Sequence, residues 1–268
     1  MLQFVLATVT AFQQVTWQPA APRQGSLILI SEPGAITGEV AGEPLHFRAG
    51  KALAAVPLTA TDSAKIVTLT IRWDGDVLGK TAYVHVVPRK APANEQVRAA
   101  DRFTPAPDSA LQIRIEEERA LSREAARRAH TVPRLWQAPF MRPRPRTARI
   151  TSVFGSGRKV NGVWSSRHYG LDIAGRKGAP VQASNRGIVA LVGDFFYGGI
   201  TVYVHHGDGL MTVYHHLSRA LVAAGDTVAR GQVIGDVGAT GRVTGPHLHW
   251  GAQYGAVAFD PADLLKLR

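Results

Sequence analysis

The stretch Gly245-Pro246-His247-Leu248-His249-Trp250 sets two imidazoles two residues apart behind a Gly-Pro turn. In an extended chain, residues i and i+2 share a face. His247 and His249 then project together, while Leu248 and Trp250 point the other way, into packing. Upstream, the run from Arg167 to Asp172 holds His168 and Asp172 four apart. Gly170 and the β-branched surroundings disfavour a helix there, so the pair comes from a strand or loop that folds back on one point. With His249 the two make an N, N, O donor set. Three protein ligands with a fourth position open to water is how catalytic zinc is held, here one ion per chain. Such an ion acidifies water and polarises a carbonyl.

A hydrolase of this kind also needs a proton-transferring group that is not a ligand. The run from Leu210 to Leu217 contains His215 and His216. Strand alternation puts Leu210, Thr212, Tyr214 and His216 on one face and Met211, Val213 and His215 on the other. Pattern alone leaves open which histidine meets the site. His247, on the same face as His249, is a further candidate. Of the ten histidines, seven fall between positions 168 and 249. That is more than packing in a β domain requires, and metal binding or acid–base chemistry is the work imidazole suits best. His46 and His85 stand singly in strand-like text and read as structural.

The elements that must position these groups fall into three regions. Residues 23–89 read as short strands cut by turns, with Val67, Leu69 and Ile71 alternating with Thr68, Thr70 and Arg72 and a hairpin signal at Asp74-Gly75. This predicts a small, Ig-like β-sandwich. Residues 90–149 read as a linker, with a helix over about 108–130, Asp108 or Ser109 as its cap, and Glu124 and Arg128 at i,i+4. The prolines and arginines from Ala138 to Arg149 follow as an extended strap. The helix reads as a solvated spacer or as an arm that contacts the groove of the next domain. Residues 150–268 are glycine-punctuated β, predicting an antiparallel sheet or compact barrel-sandwich. The fold class is therefore mainly β.

The run from His168 to Asp172, then Tyr214-His215-His216-Leu217, then the stretch from Gly238 to Trp250 resemble, in order and spacing, the lysostaphin-type (LytM-like) zinc metallopeptidases. So does the glycine-rich stretch between the second and third motifs. The likeness covers about residues 150–264. It implies a lysostaphin-like fold and an endopeptidase that cuts the peptide cross-links of bacterial peptidoglycan. It makes His168, Asp172 and His249 the zinc ligands. It selects His216 over His215, and pairs His216 with His247 to orient the water and steady the oxyanion. Two features depart from the family. Gly251 stands where a glutamate often follows the last motif. Gly162, Val163 and Trp164 stand where some members carry a tyrosine.

Composition narrows the alternatives. The formal net charge of +11 favours a polyanionic partner. The arginines surround no nucleic-acid module, and cell wall is itself an anionic lattice, so nucleic acid is not expected. A lipoyl-type carrier is excluded because no lysine lies between Lys177 and Lys266. A non-catalytic wall-binding or hydrolase-activating domain is the remaining alternative. With no cysteine there are no disulfides or thiolate metal sites. No segment reaches transmembrane length. Residues 1–22 read as a leader with an apolar run but no basic start. The implied substrate places the protein in the periplasm or outside the cell.

Overall fold

In the computed structural model, residues 15–59, 65–73, 76–90, 95–103 and 107–268 are described. The leader's residues 1–14 and the Asp74-Gly75 turn lie outside the described residues. The N-terminal region is two facing antiparallel sheets. One joins Thr16–Gln18, Leu27–Ser31 and Lys51–Ala55; the other joins Glu43–Pro44, Ala35–Val40, Lys65–Trp73 and Asp76–Val84. Ile28, Ile30, Val40, Ala52, Ala54 and Val84 are buried in one core cluster, as period-two strands with one apolar face require. Thr16–Gln18 pairs with Leu27–Ser31, so the sandwich takes in residues that the sequence reading assigned to the leader.

The middle region is more ordered than a linker. Glu95–Val97 is a strand that pairs in parallel with Gly157–Val160. The helix Ser109–Arg128 is capped by the Asp108 side chain, which accepts the Leu111 N–H. It does not stand off in solvent. Ala125, Ala126 and Ala129 pack on Phe195, Tyr203, Met211 and Val213, because small residues let the helix approach the sheet closely. The strap is tied down as well. Trp136 and Phe140 enter the main core, and Met141 N–H donates to the Ser184 carbonyl at 3.0 Å.

The C-terminal region is a ten-stranded sheet system. Its main path runs Thr227–Val228, Gly187–Phe195, Gly199–Gly207, Leu210–Ala220, His247–Tyr254, Leu171–Ala174, Ile150–Ser152. Every pairing in it is antiparallel, and Pro180–Gln182 with Val233–Val237 adds a second layer against the path. Leu171, Ile173, Tyr214, Leu217, Leu248 and Trp250 are buried between the layers. Among the described residues, no helix is long and apolar enough to cross a membrane.

One network ties together several polar groups inside this core. The Tyr214 hydroxyl accepts the Ser184 N–H at 2.8 Å and lies 2.9 Å from Thr212 Oγ1, which is 2.8 Å from His206 Nε2. Tyr214→Phe orphans the Ser184 N–H, so urea unfolding is expected to show a loss of about 1–3 kcal/mol. His206 is fully buried, and burial pushes its pKa down to about 4, although its Nδ1 bonds the Arg186 carbonyl. An unfolded histidine titrates near 6.5. Between those values the unfolded chain binds the extra proton, so stability is complete above pH 6.5 and is lost as pH falls toward 4. Chelator-treated protein should lose on the order of 2–3 kcal/mol from pH 6.5 to 4.5 through His206 alone. A melting temperature that stays flat over that interval would contradict it.

Candidate metal centre and catalytic groove

Antiparallel register builds the site. His215 is paired with His249, His249 with Asp172, and Asp172 with Ser152, across four adjacent strands. Directly opposed residues share a face, so positions distant in sequence become one row of side chains. Their neighbours Leu171, Ile173, Leu248 and Trp250 point to the opposite face and fill the core. A one-residue slip of any of these strands would exchange a row member for a core side chain. His168 enters from the turn before Leu171–Ala174. Its N–H donates to the Ser156 carbonyl and its carbonyl accepts the Gly155 N–H, both at 2.8 Å.

His168, Asp172 and His249 converge on one point. Asp172 Oδ1 lies 3.0 Å from His168 Nε2 and 2.9 Å from His249 Nδ1, and the two nitrogens are 2.9 Å apart. Gly170 makes room for this. A Cβ there would sit 2.5 Å from His249 Nε2 and 2.7 Å from the Trp250 carbonyl oxygen. Burial holds the His249 pKa at about 4, so the ring is neutral. Burial opposes charge on Asp172, yet the neighbouring His168 and His249 rings hold its carboxyl well below the usual carboxylate range. The Arg158 guanidinium contacts its other oxygen. Two imidazole nitrogens and a carboxylate oxygen, all atoms that ligate metals, thus crowd around one point. Two nitrogens and one hard oxygen converging in this way fit a divalent metal.

His216 and His247 flank this triad with ring centroids 5.0 Å apart. His216 Nδ1–H donates to the Thr240 carbonyl and His247 Nδ1–H to the Gly245 carbonyl, each at 2.9 Å. In a neutral ring this bond leaves Nε2 as the acceptor, and His247 Nε2 is buried without a hydrogen-bond partner 3.6 Å from Asp172 Oδ1. Burial, with His247 nearby, keeps His216 neutral well below the ordinary histidine value.

Simple alternation fails at this point. His216 has φ +64°, and the register with Gly199–Gly207 shifts across residues 214–217. Such a bulge turns two consecutive side chains to one face. Tyr214 therefore points into the core, away from His216. His215, expected on the far face, instead lines the same cavity as His216 and His249. Its ring centroid is 5.2 Å from that of His249, its Nδ1 is 2.8 Å from Thr201 Oγ1, and burial pushes its pKa to about 3. No turn signal in the sequence marks the bulge.

The cavity measures about 470 Å³. Its far wall is the helix, through Ile115, Glu118, Arg119, Ser122 and Arg123. Glu118 accepts the Phe196 N–H, and the Ser122 hydroxyl is 2.9 Å from that of Tyr203, so this wall is pinned to the sheet. Arg158, Arg167 and Arg242 give the rim further positive charge, and Tyr169 and Tyr197 also line the cavity. The sequence reading missed Arg158, Tyr169 and Tyr197. Tyr169 was in view beside His168, but only the fold shows that it faces the groove.

Residues 166–261 match peptidase family M23. Over 104 residues the chain is 49% identical to the peptidoglycan DD-endopeptidase ShyA of Vibrio cholerae, covering 38% of this chain and 24% of that one. Over 117 residues it is 39% identical to the DD-carboxypeptidase/endopeptidase Mpg of Neisseria meningitidis, covering 43% and 27%. The matched region thus spans about a quarter of the length of these curated relatives. The crystal structure of a Pseudomonas aeruginosa protein described as a peptidase M23 aligns with TM-score 0.70 and 29% identity, covering 91% of this chain and 95% of that one.

Proposed function

The C-terminal domain of this chain belongs to peptidase family M23, and on that premise we propose that the protein is a zinc-dependent endopeptidase hydrolysing peptide cross-links of peptidoglycan. The observation that carries the reading is the convergence of His168, Asp172 and His249 beside His216 and His247, each anchored through Nδ1 to a backbone carbonyl. The first three residues would hold one zinc ion. When bound, the ion acidifies water and polarises the scissile carbonyl. His216 and His247 share the proton work: one accepts a proton from the attacking water, and the other, once protonated, faces the developing oxyanion. Backbone carbonyls fix both rings in the tautomer this needs. A wall-binding or activating domain without catalysis has no use for this pair beside a complete donor set.

The relatives' names and the charge of the cavity support a choice of substrate bond. ShyA and Mpg are both named for DD-peptidase activity, so a DD cross-link is the bond proposed. Stem peptides carry free carboxylates, and Arg119, Arg123, Arg158, Arg167 and Arg242 line the cavity to receive them. The helix serves as a fixed wall of the groove, which narrows it to an extended peptide. The cell envelope is the compartment that holds this substrate.

The reading is tested by digesting defined muropeptide dimers and identifying the new termini by mass spectrometry. Release of two monomers cut at the cross-link is expected. Intact dimers after incubation with zinc-loaded protein, or cuts confined to the glycan, would overturn it.

A further inference from the structure

The strand Glu95–Val97 lies far before the matched residues 166–261, in a stretch whose composition reads as a linker. Its parallel pairing sets Glu95 opposite Arg158 and brings its carboxylate to the row that contains Asp172. The Ser152 hydroxyl donates to Glu95 Oε2 at 2.7 Å. The same oxygen of Ser152 lies 2.8 Å from His168 Nδ1, whose N–H it accepts while sharing it with the Val153 carbonyl at 3.0 Å. His168 Nε2, the opposite ring nitrogen, faces Asp172 and His249. Ser152 and His168 are both buried. Arg158 closes the circuit: its guanidinium donates to Ser152 Oγ at 3.2 Å, contacts Asp172 Oδ2, and has Nε 3.7 Å from Glu95 Oε2.

We propose that Glu95 is a positioning residue for the metal centre, acting through a relay from the Glu95 carboxylate to the Ser152 hydroxyl to His168 Nδ1. The inference rests on the metal reading above. A ligating imidazole binds best when its second nitrogen donates to a fixed acceptor, which sets the tautomer and raises the basicity of the coordinating nitrogen. The hydroxyl of Ser152 can accept from His168 only while its own proton is directed elsewhere, and Glu95 directs it. The carboxylate also balances Arg158, whose positive charge would otherwise draw on Asp172 alone. The segment between the two domains thereby becomes part of the site.

Zinc affinity of the full chain, measured by competition with a chromophoric chelator, tests this without reference to turnover. Glu95→Gln keeps size and removes charge; Ser152→Ala breaks the relay at its centre. Each is expected to weaken zinc binding about 10-fold, within the roughly 10–100-fold range of such outer partners. Thermal unfolding of the metal-free proteins should stay at the wild-type value, which separates the relay from a folding defect. In the Ser152→Ala background, Glu95→Gln should add much less than it costs alone, because both act through one hydroxyl. Wild-type affinity in Glu95→Gln, or fully additive losses in the double variant, overturns the relay while leaving the metal reading intact. Wild-type protein that takes up no zinc overturns both.

Discussion

His249→Ala is expected to purify without zinc and without activity on muropeptide dimers. The ring supplies one of three converging donor atoms, and its Nδ1 is 2.9 Å from both His168 Nε2 and Asp172 Oδ1. Removing it leaves two ligands, too few for the arrangement that holds catalytic zinc. The loss should exceed the roughly 10–100-fold that outer-shell substitutions cost. The strand itself should survive, because Leu248 and Trp250 on its other face carry the packing and are fully buried. Elemental analysis of the purified variant checks this, and one zinc per chain in His249→Ala would remove His249 from the ligand set.

His216→Ala and His247→Ala should separate metal binding from catalysis. Neither ring belongs to the converging triad. Both are anchored through Nδ1 to backbone carbonyls, which leaves Nε2 for proton transfer. Each variant is therefore expected to keep its zinc and to lose about 10²–10⁴-fold in dimer cleavage, the usual contribution of a positioned general acid or base. Rates of cleavage with zinc content measured on the same samples decide it. Near wild-type turnover in His216→Ala would shift the proton-transfer role to His215, which the bulge brings into the same cavity.

Much of this was legible in the residues because period-two side-chain order is a local property. His247 and His249 sharing a face follows from spacing alone, and Leu248 and Trp250 opposite them are buried as that spacing requires. The helix was legible too, since Asp108 as a cap and a run of helix formers are local signals. What was hidden depends on register between distant strands or on departures from regular backbone. The row of Ser152, Asp172, His249 and His215 exists only once four strands are aligned. The positive φ of His216 falls on a residue type that gives no warning of it. Glu95 pairs with a strand about sixty residues away by parallel hydrogen bonds, which leave no mark in a short window of sequence. The helix read as a spacer because its exposed face is charged, while the small residues Ala125, Ala126 and Ala129 that dock it look unremarkable in a helical run.

The central claim is that this groove hydrolyses peptide cross-links by means of one zinc ion held by His168, Asp172 and His249. Its most direct test follows a defined muropeptide dimer by mass spectrometry with protein stripped by chelator, then titrated with zinc. The account predicts no cleavage by the stripped protein and recovery that saturates at one zinc per chain. It also predicts no recovery in His249→Ala at the same zinc concentration. Cleavage that persists undiminished in the metal-free protein would contradict it.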